Sequence, residues 1–316
     1  MIQFLIQNKI TYKESVPKKQ LTGINQEGVM PLVVYPDRED KLILLVNELR
    51  KRQITYDILG GITNTYLASS YFRDILIITT KMKNCQINSD RMIAEAGCNL
   101  TKVAQILSRR GVSGYEGFIG IPGTIGAAAI NNSGAFQSVM QDVVLKVKVI
   151  NEKGETCYID SSDMNYSPRN SRLKGNTSNI LLQVILDISK KESQEVINGR
   201  INSYKKYRKK LIDGRRKSLG SIFVSSTIKE LISCHKYAFT LKRILNGMIN
   251  MLIPSRKLNT WINFLFLGVP GLARHCDGLN RFAWDDDTSE ADFYHYITTM
   301  QRLAKNRLEL EIEIKE

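Results

Sequence analysis

Between Gly114 and Ala135 the chain reads Gly114-Tyr115-Glu116-Gly117-Phe118-Ile119-Gly120-Ile121-Pro122-Gly123-Thr124-Ile125-Gly126-Ala127-Ala128, with Asn131-Asn132-Ser133-Gly134-Ala135 close behind. Glycines at this density let a backbone make positive-φ turns and bring its N–H groups close to a ligand, commonly a phosphate. The run matches neither GxGxxG nor a Walker motif, so a standard nucleotide loop is excluded. Taken by itself it fits a tight series of turns better than it fits a ligand cradle.

The rest of the chain narrows the choice. With 316 residues, 43% of them hydrophobic, there is material for one large domain or two to three smaller ones, and disorder is excluded as the main state. Polar residues interrupt every apolar run before about 18 positions, so no transmembrane segment is expected. The stretch Met1–Lys9 has neither a basic region nor a small-residue cleavage site, so no secretory signal is expected. The 5 cysteines form no CxxC pair and their number is odd, which points to buried free thiols in a reducing cytosol. His235, His275 and His295 show no metal-ligand spacing, and no metal is expected.

Charge is less ordinary. A formal net charge of +14 favours a polyanion: nucleic acid, an anionic lipid surface or a phosphorylated small molecule. Basic residues concentrate between Lys205 and Lys217 without any nucleic-acid-binding motif, so nucleic-acid reading is not expected, and a phosphorylated small molecule and peripheral contact with a lipid surface both stay open.

Patterning predicts an apolar strand at Pro31–Tyr35, a helix over Asp37–Arg52 with Leu42, Leu45, Val46 and Leu49 on one face, and short apolar segments at Ile54–Leu59 and Ile75–Ile78. A helix over Leu100–Arg110, a hairpin Val143–Asn151/Thr156–Ile159, a strand Asn179–Ile188 and a basic helix Lys190–Lys217 follow. Phe239–Ile253 reads as an amphipathic helix. Asp287 and Glu290 suggest a capping box that opens a helix to about Arg307, and Leu308–Ile314 alternates as a half-buried strand.

Several blocks together resemble one family. The glycine-rich run resembles the GIPGT…NAGA signature of the UDP-N-acetylenolpyruvylglucosamine reductase family, and Asp57-Ile58-Leu59-Gly60-Gly61-Ile62-Thr63-Asn64 resembles its LGGGSN loop. Glu95–Leu100 resembles its AGA-like turn before a helix, and Tyr166–Ser171 its F-x-Y-R-x-S block. Leu219–Phe223 resembles its GS-x-F and Leu308–Ile312 its C-terminal LE-x-E-V, all in the same order along the chain.

The resemblance implies an α+β fold, with a two-part FAD-binding region of the vanillyl-alcohol-oxidase type (residues 1–83 and 84–200) and a smaller α/β substrate domain (201–316). It implies noncovalent FAD, NADPH as electron donor, a nucleotide-sugar substrate and a cytoplasmic enzyme of cell-wall precursor synthesis. By the same resemblance Gly60, Gly61, Thr63 and Asn64 face the diphosphate. Gly120, Ile121, Pro122, Gly123, Thr124, Gly126, Asn132, Gly134 and Ala135 pack on the cofactor. Arg169, Ser221 and Glu311 stand where the family has its substrate-carboxylate cation, its proton donor and its enol-stabilising acid.

The chain departs from the pattern at Ile62, where the family's third loop glycine is replaced by a residue that resists positive φ and adds bulk beside the expected diphosphate. It departs also at Ala127, at Pro168 in place of an aromatic, and at Val224-Ser225-Ser226 in place of Lys-Asn-Pro. Erosion on the substrate side leaves two alternatives open: a flavin oxidoreductase of the same fold acting on a different sugar or specialised metabolite, or a flavin-binding protein without turnover.

Overall fold

The computed structural model describes residues 1–211, 216–241 and 256–316. Their contacts divide into two compact units, the first built on two apolar clusters and the second on one. One comprises Met1–Val16, Val29–Thr63 and Phe72–Lys210, and the other Pro17–Gly28, Asn64–Tyr71 and Leu211–Glu316.

Among the described residues the first unit holds two larger sheets and a two-stranded ribbon of Gly134–Ala135 with Ser138–Val139. In the four-stranded one the order is Thr11–Pro17, Val29–Tyr35, Ile75–Ile78, Tyr56–Leu59, with the last three strands running parallel. Ile75–Ile78 is buried along its whole length, as a central parallel strand rich in Ile and Leu should be. The helix Glu39–Lys51 begins with acidic and ends with basic side chains, which suits its dipole. It buries Leu42, Leu45, Val46 and Leu49 against Val34, Ile75 and Ile77.

The other sheet is five-stranded and antiparallel, ordered Thr156–Asp160, Val144–Ile150, Ile180–Asp187, Arg91–Glu95, Cys85–Ile87. The expected hairpin is present, Ile150 pairing with Thr156 and the Asn151 N–H donating to the Glu155 carbonyl at 2.8 Å. The helix Leu100–Arg109 buries Leu100, Val103, Ala104 and Leu107 in the core beneath this sheet.

In the second unit, Thr65–Leu67 pairs in parallel with Glu313–Lys315. Tyr66, Phe282, Trp284, Phe293 and Tyr296 form its aromatic centre. Segment 17–28 is fastened to 64–71 by polar contacts: the buried Lys18 ammonium donates to the carbonyls of Ala68 and Ser69, and the Gln26 amide donates to that of Leu67. Burial pushes the Lys18 amine below its ordinary range, partly offset by the Glu290 carboxylate.

The sequence expectations need several adjustments. Of the cysteines expected to be buried, Cys98 and Cys276 are, whereas Cys85 and Cys157 lie exposed on edge strands of the antiparallel sheet. The opening residues, which carry no clear pattern, form a helix at Ile2–Gln7 and a strand at Thr11–Pro17. The capping box belongs to Ser289 and Asp292, and its helix ends at Leu303. The expected strand over 308–314 is a bridge at Leu310 followed by Glu313–Lys315, because the Glu311 and Ile312 N–H groups both turn to the Ile222 carbonyl. The basic helix spans Gln194–Leu211, and 212–215 of the expected stretch lie outside the described residues. So do 242–253 of the expected amphipathic helix, whose described portion is helical through 236–241.

Leu44 and Leu45 are neighbours with opposite fates, Leu44 being 43% exposed and Leu45 fully buried. Leu45→Ala is expected to lower the unfolding free energy by about 2–5 kcal/mol, and Leu44→Ala to change it by less than about 0.5 kcal/mol. Urea unfolding followed by circular dichroism reads both.

Candidate functional site

The loop after strand Tyr56–Leu59 packs its backbone directly on a neighbouring helix start. A side chain at Gly60 would place its Cβ 2.5 Å from Thr124 Oγ1 and 3.1 Å from Ala127 Cβ, so only glycine fits. At Gly97 a Cβ would overlap the carbonyl oxygens of Thr79 and Met82. These close approaches bring the segments 60–63, 79–85, 97–103 and 122–124 around one cavity of about 510 Å³. Its wall includes Gly61, Thr63, Pro122, Gly123 and Thr124 from the predicted set.

Ile62 adopts φ = 51°, so the loop keeps a glycine-like turn despite the substitution. A β-branched residue there stores strain of about 1–3 kcal/mol. Its side chain is 4% exposed and does not line the cavity, so the expected bulk beside the ligand is absent. Thr124 caps the following short helix by accepting from the Ala127 N–H, and the Thr63 hydroxyl donates to the Pro122 carbonyl at 3.3 Å.

The cavity also exposes residues that the sequence reading did not single out. Lys83 and Lys102 bring two cations to its wall, beside Asn99, Cys85 and Cys98. Asn99 caps the helix Leu100–Arg109, accepting from the Lys102 N–H at 2.9 Å. Lys102 sits in the first turn, where the dipole disfavours a cation and where this helix has no acidic residue. An anion in the cavity would reverse that penalty. The misplaced cation, three residues after an Asn cap, was the available sequence signal. Burial pushes the Cys98 thiol up to about 12, so it stays protonated and donates to the Asn84 carbonyl.

Other predicted residues serve the framework nearby. The Gly120 N–H donates to Thr101 Oγ1, Ile121 packs on the apolar core, and the Gly126 N–H donates to Ala96 O at 2.9 Å. Ala135 pairs with Ser138 in a two-stranded ribbon. Asn132 is 2% exposed, and its amide donates to Gln141 Oε1 and to the Ser167 carbonyl. Ser167 and Asn170 close a tight turn by exchanging main-chain hydrogen bonds, with Pro168 and Arg169 at its tip. Proline pre-sets the second turn position, and Arg169 takes φ = 58° at the third. The Arg169 guanidinium donates to the Gly134 carbonyl at 3.1 Å. Asn132, Gly134 and Arg169 are thereby brought together within the first unit.

Ser221 and Glu311 lie in the second unit on adjoining segments. Phe223 bridges Leu310, and the Glu311 N–H donates to the Ile222 carbonyl at 2.8 Å. Asn280, another residue without a sequence signal, clasps this segment. Its side chain accepts from the Phe223 N–H and donates to the Phe223 carbonyl, both at 2.7 Å. Asn64, expected to face a diphosphate, donates its amide to the Glu311 carbonyl at 2.9 Å.

Comparison with known proteins agrees with this geometry. The FAD binding domain family matches residues 30–160, which include the cavity-forming segments, so the chain carries an FAD-binding domain. The UDP-N-acetylenolpyruvoylglucosamine reductase of Caldanaerobacter subterraneus is 33% identical over 158 residues, which is 50% of this chain and about half (52%) of that protein. That of Caldicellulosiruptor saccharolyticus is 30% identical over 215 residues, covering 68% of this chain and 69% of the relative. The crystal structure of the Thermus caldophilus UDP-N-acetylenolpyruvylglucosamine reductase superposes with a TM-score of 0.67 at 21% identity, over 97% of this chain and 100% of that one, and the likeness establishes the α+β fold. The chain belongs to the UDP-N-acetylenolpyruvoylglucosamine reductase family.

Proposed function

We propose that the protein is an FAD-dependent reductase that uses NADPH to reduce the enolpyruvyl double bond of UDP-N-acetylglucosamine enolpyruvate. The observation that carries the reading is the glycine-walled cavity with Lys83 and Lys102 in its wall, inside the segment matched as an FAD binding domain. Close backbone and two ammonium groups suit a diphosphate better than any neutral ligand. Gly61, Thr63 and Gly123 would line the diphosphate, and Lys83 and Lys102 would offset its charge. The flavin, when bound, supplies two-electron chemistry between a dihydronicotinamide and the alkene.

The chain's own side chains would do the rest. Hydride addition to an alkene beside a carboxylate leaves enolate-like charge that must be held and then protonated. Arg169, held at the tip of its turn, would pair with the substrate carboxylate. Glu311 would stabilise the enol, and the Ser221 hydroxyl would give its proton to the adjacent carbon. The main-chain bond between Ile222 and Glu311 supports joint action of the last two, because it fixes their segments side by side. The division of labour would follow the expected one, with the flavin held by the two sheets of the first unit and the sugar nucleotide by the second. The reading also assigns the protein to the cytoplasm, and among the described residues no helix is long and apolar enough to cross a membrane.

Replacing one charged partner of the cofactor is expected to show in binding alone. Lys102→Ala should weaken FAD binding about 10- to 100-fold by flavin-fluorescence titration. Cys85 is exposed and lines the same cavity, so bound FAD should slow its alkylation by iodoacetamide. Unchanged affinity together with unchanged alkylation would place the cofactor elsewhere.

The reductive half is tested by stopped flow. Ser221→Ala should leave flavin reduction by NADPH intact and slow flavin reoxidation by the enolpyruvyl nucleotide at least about 10²-fold. Glu311→Gln should slow the same phase, whereas Glu309→Gln, an exposed neighbour, should not. Equal effects of the two glutamate changes would remove Glu311 from the chemistry. Flavin reduction without any substrate-dependent reoxidation would favour a different acceptor.

A further inference from the structure

Three helical segments of the second unit, Ser225–Cys234, 236–241 and Arg256–Phe266, leave large apolar side chains in solvent. In Arg256–Phe266, Thr260, Ile262 and Phe264 are buried, whereas Lys257, Trp261 and Leu265 are exposed. Spaced four apart, those three form one stripe along the helix. Trp261 is 45% exposed and Leu265 43%. The stretch from Ser225 to Leu241 repeats the arrangement. Leu231 is buried and Ile228 and Phe239 pack on the core, while Ile232, Tyr237 and Leu241 face solvent beside Lys229 and Lys236. Tyr237 is 81% exposed, with the Lys236 ammonium 5.1 Å above its ring.

Charge decides what such faces would meet. Among the described residues of these stretches the lone carboxylate is Glu230, and it is paired with Arg307 at 3.2 Å. A protein-binding face of this size commonly mixes both signs at its rim. A surface that is aromatic, aliphatic and basic, whose nearby acids Glu230 and Asp285 are each held by an arginine, instead has the profile of an interfacial helix at an anionic membrane. Trp and Tyr favour the headgroup level, where the ring is apolar and its edge wet. Each lysine near such a surface contributes about 1 kcal/mol, which is about fivefold in binding. The net charge of +14 acts in the same direction.

We propose that the exposed faces of these helices dock the protein on an anionic phospholipid surface, with Trp261 and Leu265 seated at headgroup level and Lys229, Lys236 and Lys257 beside lipid phosphates. The inference is independent of the reaction proposed above.

The chain has 2 tryptophans, and the other, Trp284, is 3% exposed. A vesicle-dependent shift of tryptophan emission therefore reports on Trp261. The full chain, loaded with FAD, is mixed with vesicles of phosphatidylglycerol and phosphatidylcholine or of phosphatidylcholine alone. Co-sedimentation with the anionic vesicles, a blue shift of the emission and reversal of both by high salt are expected. Trp261→Phe should remove the shift while leaving most of the binding. The double change Lys236→Glu and Lys257→Glu should cut partitioning at least about tenfold, and Leu265→Ser should weaken it, with melting temperatures unchanged. The proposal is overturned by equal binding to neutral vesicles, by no binding to either, or by binding indifferent to these substitutions. A concentration-dependent dimer that shifts the emission without vesicles would overturn it too, and would assign the face to a second copy of the chain.

Discussion

Close backbone contact at Gly60 and Gly97 is the constraint on which the cavity depends. A Cβ at either position would collide with atoms of Thr124 or with the carbonyls of Thr79 and Met82. None of these neighbours can withdraw cheaply. Thr124 is a buried helix cap, and Thr79 and Met82 belong to a short turn closed by its own main-chain bond. The parallel sheet therefore delivers its loop, and the antiparallel sheet its turn, to one place within the first unit. Asn99 and Lys102 reach the cavity wall by the same route, because they open the helix that follows Gly97. Ile62 shows how firmly the arrangement is imposed, since a β-branched residue is held at φ = 51° and the loop does not relax around it.

Ser221 and Glu311, proposed to act on the substrate, are held by a different device, main-chain pairing between distant segments. Ser221 precedes a buried pair, Ile222 and Phe223, that Asn280 clasps through both main-chain groups of Phe223. Glu311 joins from the chain end through its own N–H, and Asn64 fixes the Glu311 carbonyl. Side chains mounted on segments so fastened would lose little freedom in the proposed proton transfer, which favours its efficiency.

Much of this was legible in the sequence because it rests on local chemistry. The Glu39–Lys51 helix shows in its apolar spacing, the hairpin in its Glu152–Glu155 turn, and the family in ordered blocks. What escaped was set by tertiary contact. Lys18 looks like any surface lysine, yet it is buried because two carbonyls of a segment some fifty residues away receive it. Strand Thr11–Pro17 lacks alternation because only Val16 and part of its neighbours meet the core. Asn280 has no motif, since its role is to complete another segment's backbone bonds. Pro168 replaces an aromatic, and its turn carries Arg169 at positive φ, which no spacing rule could have indicated.

The central claim is that the glycine-walled cavity of the first unit is built for FAD. Isothermal titration of flavin-stripped protein with FAD, with FMN and with riboflavin as comparators, tests it most directly. The account predicts saturable uptake of one FAD per chain, with FMN and riboflavin bound far more weakly because they lack the full diphosphate that Lys83 and Lys102 would meet. Equal affinity for all three, or no uptake of FAD by folded protein, would contradict it.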